Sequence, residues 1–195
     1  MPRPVQECYL TPEQYLEIET KAEYKSEYFR GRMYLRGGVS INESTIAVNL
    51  GYLLRPFARV KQCLTLGSDM RVKAGDSGLY AYPDMSVVRR PPIVSQWDNL
   101  ENPVVLFEIV SPVTEAYDRG LKFEMYRRIE SLHSYVLVQH DRAHVEVFTK
   151  VAGVWTLSEA SGLQASIDIP VLDAHIPLAP LYENVDLETP EQALE

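Results

Sequence analysis

The feature that most constrains the fold is an apolar run at residues 104–110, in which Glu108 is the only polar side chain. Side chains alternate between the two faces of a strand, so the run predicts a strand that is apolar on both faces and lies centrally in a covered sheet. A glutamate is almost never fully buried without a partner, because an unpaired buried carboxylate is neutralised instead. The sequence therefore predicts a charged group beside Glu108.

Two residues are candidates for this neighbour. Asp84 lies at the head of a second apolar run and is the first candidate, because two carboxylates can share one bound cation. Lys122 is the second, because it lies on the apolar face of a helix predicted over residues 119–129. Simpler alternatives stay open: Asp84 as a turn residue after a proline, and Glu108 in an ion pair with an arginine.

Aspartate, glutamate and lysine side chains from two strands and the next helix suit metal-assisted phosphodiester hydrolysis. The carboxylates hold Mg²⁺, and the lysine stabilises charge or helps to activate water. No glycine-rich phosphate loop and no serine–histidine–acid arrangement can be assembled from the sequence. The pattern therefore favours a metal-dependent hydrolase over the other enzyme classes.

The residues around this trio resemble the Uma-two family of restriction-endonuclease-like proteins, within the PD-(D/E)XK nuclease superfamily. The resemblance covers about residues 11–185, and its most specific part is the string SPVTEAYDRGLKFEMYRR at residues 111–128. The core matches are Pro83-Asp84, Glu108-Ile109-Val110, and Lys122 on the following helix instead of on the strand.

The resemblance implies an endonuclease that cuts nucleic acid, with DNA as the expected substrate, and that forms a homodimer. Asp84 and Glu108 would bind Mg²⁺ or Mn²⁺, the Ile109 carbonyl would be a further ligand, and Lys122 would complete the catalytic set. The competing class is a binding or regulatory module that keeps the fold without cleavage. Retention of all three site residues disfavours that class, whereas an acidic surface favours it.

Three further acids are possible additions to the site. Glu43 matches a position where the superfamily often has a metal-binding acid, although a capping box with Ser40 explains the residue equally well. The family more often has His-Asn where this chain has Glu43-Ser44. Asp69 either lines the site or ends a strand. Glu27 matches an acidic position of the family's first hairpin, whose other usual acids are replaced here by arginines.

The order of predicted elements is that of an α/β restriction-endonuclease-like fold, a mixed curved sheet flanked by helices. We expect one domain over residues 1–195, with its core at about residues 40–140. A capped helix at residues 11–21 and a hairpin at 24–35 precede the core, and a hairpin at 145–159 extends it. The core is predicted to begin with a helix over 41–58 that kinks or ends at Pro56. Its strands are predicted over 63–72, 83–88, 104–110 and 135–138, with the helix over 119–129 before the last strand and a surface loop over 90–103. The tail over 183–195 is expected to be frayed.

The charge balance argues against a generally basic binding surface. Nineteen basic and 27 acidic residues give a net charge of −8, whereas nucleic-acid-binding proteins usually carry a basic footprint. A DNA contact would need the metal and a local patch, for which the candidates are Arg89, Arg90, Arg119, Arg127 and Arg128.

The sequence has no signal-peptide core and no apolar run of membrane-spanning length, so we expect a cytoplasmic protein without a membrane contact. Cys8 and Cys63 show no metal-binding or redox spacing.

Overall fold

The predicted central strand is present in the structure, a computed structural model that describes residues 9–75 and 78–187. This strand, β9 (Pro103–Val110), has eight buried residues and lies between a parallel and an antiparallel neighbour. The other strands are β1 (Ser26–Phe29), β2 (Arg32–Leu35), β3 (Cys63–Gly67), β4 (Val72–Lys73), β5 (Leu79–Ala81), β6 (Met85–Arg89), β7 (Val94–Ser95), β8 (Asn99–Leu100), β10 (Ser134–Gln139), β11 (His144–Val151), β12 (Val154–Ser161), β13 (Ser166–Ile169) and β14 (Ala174–Pro177).

The helices are short, apart from one that covers the core sheet. They are α1 (Pro12–Glu19), α2 (Ile41–Val60), α3 (Glu115–Tyr117), a π-helical turn (Asp118–Lys122), α4 (Phe123–Tyr126), a 3₁₀ turn (Pro170–Leu172) and α5 (Leu178–Leu181). Both predicted capping boxes are formed, Thr11 with Gln14 at α1 and Ser40 with Glu43 at α2. Within residues 9–75 and 78–187, no helix has the length and apolar character needed to cross a membrane.

The core sheet has six strands in the order β12-β11-β10-β9-β6-β3, and only β9 and β10 run parallel. A second sheet has the order β2-β1-β5-β4-β8-β7, and β13 pairs with β14. The core sheet therefore follows the predicted order of helix, three strands, helix and strand. The structure adds the directions: the first three strands are antiparallel, and the last runs parallel to β9. The expected α/β fold with curved mixed sheets flanked by helices is confirmed, but it contains two large sheets.

The two faces of β9 pack against different layers. Phe107 and Ile109 belong to a buried cluster with the apolar stripe of α2, whereas Leu106 and Val110 belong to a cluster with Met125 of α4. Because side chains alternate along a strand, Glu108 lies on the second face, towards the helical segment that carries Lys122. The alternation thus explains how the strand and the helix bring their charged residues together.

Several predicted boundaries were wrong, for local reasons. The strand predicted over residues 63–72 divides into β3 and β4, which belong to different sheets. Of the two outcomes predicted at Pro56, a kink or an end, the end is excluded, because α2 continues to Val60. Pro56 lies on the exposed side of the helix, where water can satisfy the carbonyl group that its missing N–H leaves free. The loop predicted over residues 90–103 contains β7 and β8, and Leu100 is fully buried.

The predicted helix over residues 119–129 is also different, since helical structure begins at Glu115, passes through the π-helical turn and ends at Tyr126. Residues 183–187, expected to belong to a frayed tail, are held by the side chains of Asn42 and Asn49, which donate to the carbonyls of Asp186 and Glu183. Residues 188–195 and Cys8 lie outside the described residues.

Candidate active site

A pocket of about 420 Å³ opens where β6 begins and β9 ends. Its floor is the sheet edge, and its walls come from the segment before α2, the first turn of α2, and the loop and helical turns that follow β9. Five carboxylates and two cations line it. The acids are Glu27, Glu43, Asp84, Glu108 and Asp118, and the cations are Arg36 and Lys122.

Lys122 is the charged neighbour that Glu108 was expected to have. Its Nζ lies 3.1 Å from carboxylate oxygens of Glu108, Glu27 and Asp118. All four side chains are at most 7% exposed, so the ammonium group is enclosed by acids and shielded from solvent. The Tyr117 ring covers another side, with its centroid 5.3 Å from Nζ. This arrangement satisfies a buried lysine, which would otherwise lose its charge.

The charges of this cluster do not balance, and the pKa values reflect the surplus of acid. Burial raises the pKa of Glu108 well above its ordinary value, and the negative charges of Asp118 and Asp84 add to the effect against the opposing charge of Lys122. Burial alone would lower the pKa of Lys122, but the carboxylates of Asp118, Glu108 and Glu27 outweigh it and raise that pKa well above normal. Lys122 is therefore a fixed positive charge at neutral pH.

Asp84 has a different set of partners from Glu108. One of its carboxylate oxygens is ion-paired with Arg36, and the other accepts a hydrogen bond of 2.7 Å from the backbone N–H of Ile109. Burial raises the pKa of Asp84, while Arg36 and the Ile109 N–H oppose the rise. The Glu108 and Asp84 carboxylates both line this pocket.

The carbonyl group of Ile109 faces the same side of β9 as Asp84. The N–H and C=O of one strand residue point to the same neighbour, and the Ile109 N–H points to Asp84. The residue pairs of β6 with β9 end at Met85 and Phe107, so Ile109 lies beyond the paired part of this edge. The proposed role of the Ile109 carbonyl is thus compatible with the strand geometry.

Glu43 serves as a helix cap and also lines the pocket. Its side chain accepts a hydrogen bond of 2.6 Å from the Ser40 N–H, while the Ser40 hydroxyl accepts one of 3.2 Å from the Glu43 N–H. The two roles considered from the sequence are therefore compatible in space. A carboxylate has two oxygens, so one can cap the helix while the other faces a ligand.

Of the two remaining predicted acids, Glu27 lines the pocket and Asp69 does not. Glu27 is 6% exposed and belongs to the cluster, where it also accepts a hydrogen bond of 3.2 Å from the Tyr82 N–H. Asp69 is not among the pocket residues: its side chain is 93% exposed and pairs with Lys25 on the surface. The structure therefore brings Glu27 to Lys122 and leaves Asp69 outside.

Sequence reasoning missed Arg36 and Asp118. Arg36 follows β2 and precedes two glycines, and nothing in its local sequence distinguishes it from a solvent-exposed arginine. Asp118 carried a usable signal, because it precedes Lys122 by four residues, the spacing of an ion pair on a helix. The π-helical turn spans both residues, and such turns are frequent at functional sites.

Within the described residues, no three histidine, cysteine, aspartate or glutamate side chains are already arranged as a metal-ligand set. The donor chemistry nevertheless fits a hard divalent cation, because the lining acids are oxygen donors and outnumber the cations five to two. A cation that binds here must compete with Arg36 for Asp84 and with Lys122 for Glu108.

The order of elements and the acid–lysine pocket at the sheet edge together define a protein with a restriction-endonuclease-like fold. The chain belongs to the Uma2 family, since residues 12–179 match the family model, which is described as "Putative restriction endonuclease". A crystal structure titled as a "putative nuclease belonging to DUF820", from Anabaena variabilis, has a TM-score of 0.73 over 89% of this chain and 98% of that one. Its sequence identity is 17%, so this likeness shows the fold alone.

Two relatives come from Synechocystis sp. and are named as uncharacterized proteins. The protein slr1290 is 35% identical over 141 residues, which are 72% of this chain and 74% of the relative. The protein sll1609 is 32% identical over 162 residues, which are 82% and 92% of the two chains. These relatives support membership of the family, and their names assign no activity.

Proposed function

We propose that this protein is an endonuclease that hydrolyses phosphodiester bonds in nucleic acid, with DNA as the expected substrate and Mg²⁺ or Mn²⁺ as the cofactor. The observation that carries the proposal is the pocket in which Asp84, Glu108 and Lys122 meet, each delivered by a different element. Membership of a family described as "Putative restriction endonuclease" supports the same proposal.

Asp84 and Glu108 would hold the metal ion, with the Ile109 carbonyl as a third oxygen ligand and Glu43 as a further one. The fit rests on the surplus of carboxylates in the pocket, which two cations do not neutralise. A bound divalent cation polarises the scissile phosphoryl group and lowers the pKa of an attacking water.

Lys122 contributes a preorganised positive charge. Three carboxylates fix its ammonium group, so no reorganisation is needed when negative charge develops on the phosphoryl group. Because the neighbouring acids raise its pKa, Lys122 stays protonated at neutral pH and does not accept a proton. We therefore assign it the orientation of water or the stabilisation of charge. Ile109 contributes through its backbone N–H, which orients the Asp84 carboxylate.

Cleavage assays test the proposal. Supercoiled plasmid, linear duplex, single-stranded DNA and RNA are incubated with the parent protein and Mg²⁺ or Mn²⁺. We expect cleavage that EDTA abolishes and that Glu108→Gln reduces by about 10²–10³-fold, the usual loss when one catalytic electrostatic contact is removed. Asp69→Asn is the matched control, because it removes an exposed carboxylate outside the pocket and should cut at the parent rate.

The competing function is a binding or regulatory module that has kept the fold. The pairing of Asp84 with Arg36 and the net charge of −8 favour this alternative. A parent protein that binds the metal but leaves every tested nucleic acid uncut would support the module and contradict the nuclease.

A further inference from the structure

A second groove lies at the opposite end of α2 from the acidic pocket, and it is basic. Its volume is about 530 Å³. Arg55 and Arg59 project into it from the last turns of α2, and Arg90 enters from the residue after β6. Within the described part of the chain, no carboxylate lines this groove. The other lining residues are Ala58, Gln62, Cys63, Leu64 and Thr65.

The three arginines differ from the paired arginines elsewhere in the protein. Arg36 and Arg119 are ion-paired with carboxylates. None of the three groove guanidinium groups has an ion pair or a side-chain hydrogen bond among residues 9–75 and 78–187. Arg55 and Arg59 are four residues apart on α2, where like charges repel each other, and a bound anion would relieve this repulsion.

Helix stability accounts for part of this cluster, but not for all of it. A cation in the last turn of a helix interacts favourably with the helix dipole, which explains Arg59. It does not explain Arg90, which belongs to a different element. The Arg90 N–H donates a hydrogen bond of 3.3 Å to the carbonyl of Gln62, in the turn that follows α2. The groove is therefore assembled from two elements that the backbone holds together.

We propose that this groove binds the sugar–phosphate backbone of the nucleic acid, an inference that rests on the proposed nuclease function. Guanidinium groups suit phosphates because their planar fork can donate two parallel hydrogen bonds. In a protein with a net charge of −8, backbone binding requires a local basic surface of this kind. Among the arginines suggested by the sequence, Arg119 and Arg128 are neutralised by glutamates, whereas Arg90 is available in the groove.

The position of the groove sets the length of substrate that it can assist. Glu43 at the acidic pocket and Arg59 at the groove are sixteen residues apart on α2, which corresponds to about 24 Å along the helix axis. This separation equals about seven base pairs of duplex, at roughly 3.4 Å per step. The groove therefore assists an extended nucleic acid and not a mononucleotide.

The salt dependence of binding tests the inference. Fluorescence anisotropy measures the affinity for a labelled 20-base-pair duplex over a range of salt concentrations, with Ca²⁺ replacing Mg²⁺. The variant Arg55→Gln/Arg59→Gln/Arg90→Gln should reduce the slope of log K against log salt by about 2–3, because each lost phosphate contact removes about 0.9. The corresponding triple lysine variant retains the charges and should keep most of the slope.

A second triple variant controls for net charge. Lys21→Gln/Arg32→Gln/Arg142→Gln removes the same charge from exposed positions outside the groove and should change the slope by less than about one. An unchanged slope in the groove variant would overturn the inference, as would an equal loss in the control variant or a parent that binds no duplex. All six substitutions are exposed, so melting temperatures should confirm folding.

The outcomes separate this inference from the proposed function. If the parent cleaves DNA with Mn²⁺ and the groove variant keeps its slope, the inference fails while the nuclease function stands. If the parent never cleaves and the groove variant loses its slope, the groove is a nucleic-acid-binding site and only the nuclease function fails.

Discussion

Replacing Lys122 by methionine tests the buried cluster most sharply, because methionine keeps much of the apolar stem and deletes the charge. In the absence of metal, the substitution leaves the carboxylates of Glu27, Glu108 and Asp118 without the ammonium group that lies 3.1 Å from each of them. Removing one partner of a buried ion pair typically costs about 3–5 kcal/mol. Domains are usually stable by about 5–15 kcal/mol, so the loss should be plain.

Urea unfolding in EDTA measures this loss. With a slope of about 2 kcal/mol per molar urea, Lys122→Met should lower the unfolding midpoint by about 1.5–2.5 M. Lys61→Met is the matched control, because Lys61 and Asp173 form a surface pair with side chains 34% and 77% exposed. Such pairs contribute about 0–1 kcal/mol, so the control midpoint should barely move.

Added Mn²⁺ should shrink the deficit of Lys122→Met relative to the parent, because the metal would supply positive charge to Glu108, which both Lys122 and the proposed metal site contact. At a hundred times its Kd, a ligand that binds only the folded state adds about 2.7 kcal/mol. If the variant unfolded at the parent urea concentration in EDTA, the enclosed acids would not depend on Lys122, and the prediction would be wrong.

Three further predictions concern Glu43, the oligomeric state and Tyr82. Glu43→Gln preserves the capping hydrogen bond with Ser40, so the melting temperature should stay nearly constant. Because the substitution removes a charged ligand, calorimetry should show weaker Mn²⁺ binding. Unchanged Mn²⁺ binding would mean that Glu43 is only a helix cap. Light scattering at micromolar concentration should give the mass of two 22.2 kDa chains, and a monomer mass would contradict the expected dimer. Burial raises the pKa of Tyr82 to about 12 in the folded protein, against about 10 in an unfolded chain. Between about pH 10 and 12 the unfolded chain therefore loses the Tyr82 proton more readily than the folded protein does, which favours unfolding. Stability should therefore fall over that range, and less steeply in Tyr82→Phe; equal slopes would contradict the assignment.

The sequence predicted the elements whose signals are local. The apolar run around Glu108 identified the central strand. The need of a buried carboxylate for a partner gave Asp84 and Lys122 as candidates, and the structure places Lys122 beside Glu108. Both capping boxes were readable because their partners are three residues apart. In these cases the determining interactions lie within a few residues or follow from strand periodicity.

Other parts of the site depend on contacts between residues distant in sequence. Arg36 reaches Asp84 across 48 positions, and Glu27 reaches Lys122 only because β1 pairs with β5 next to the core. The separation of β3 from β4 also depends on which sheet each strand joins. No local pattern specifies such pairings, which arise from the packing of the two sheets.

A crystal structure of the parent protein soaked with Mn²⁺ tests the central claim most directly. We expect an anomalous peak between the carboxylates of Asp84 and Glu108, with oxygen ligands at about 2.1–2.2 Å and Arg36 withdrawn from Asp84. A crystal in which Arg36 still pairs with Asp84 and no manganese lies between the two acids, at a concentration that saturates other Mn²⁺ enzymes, would contradict the proposed metal site.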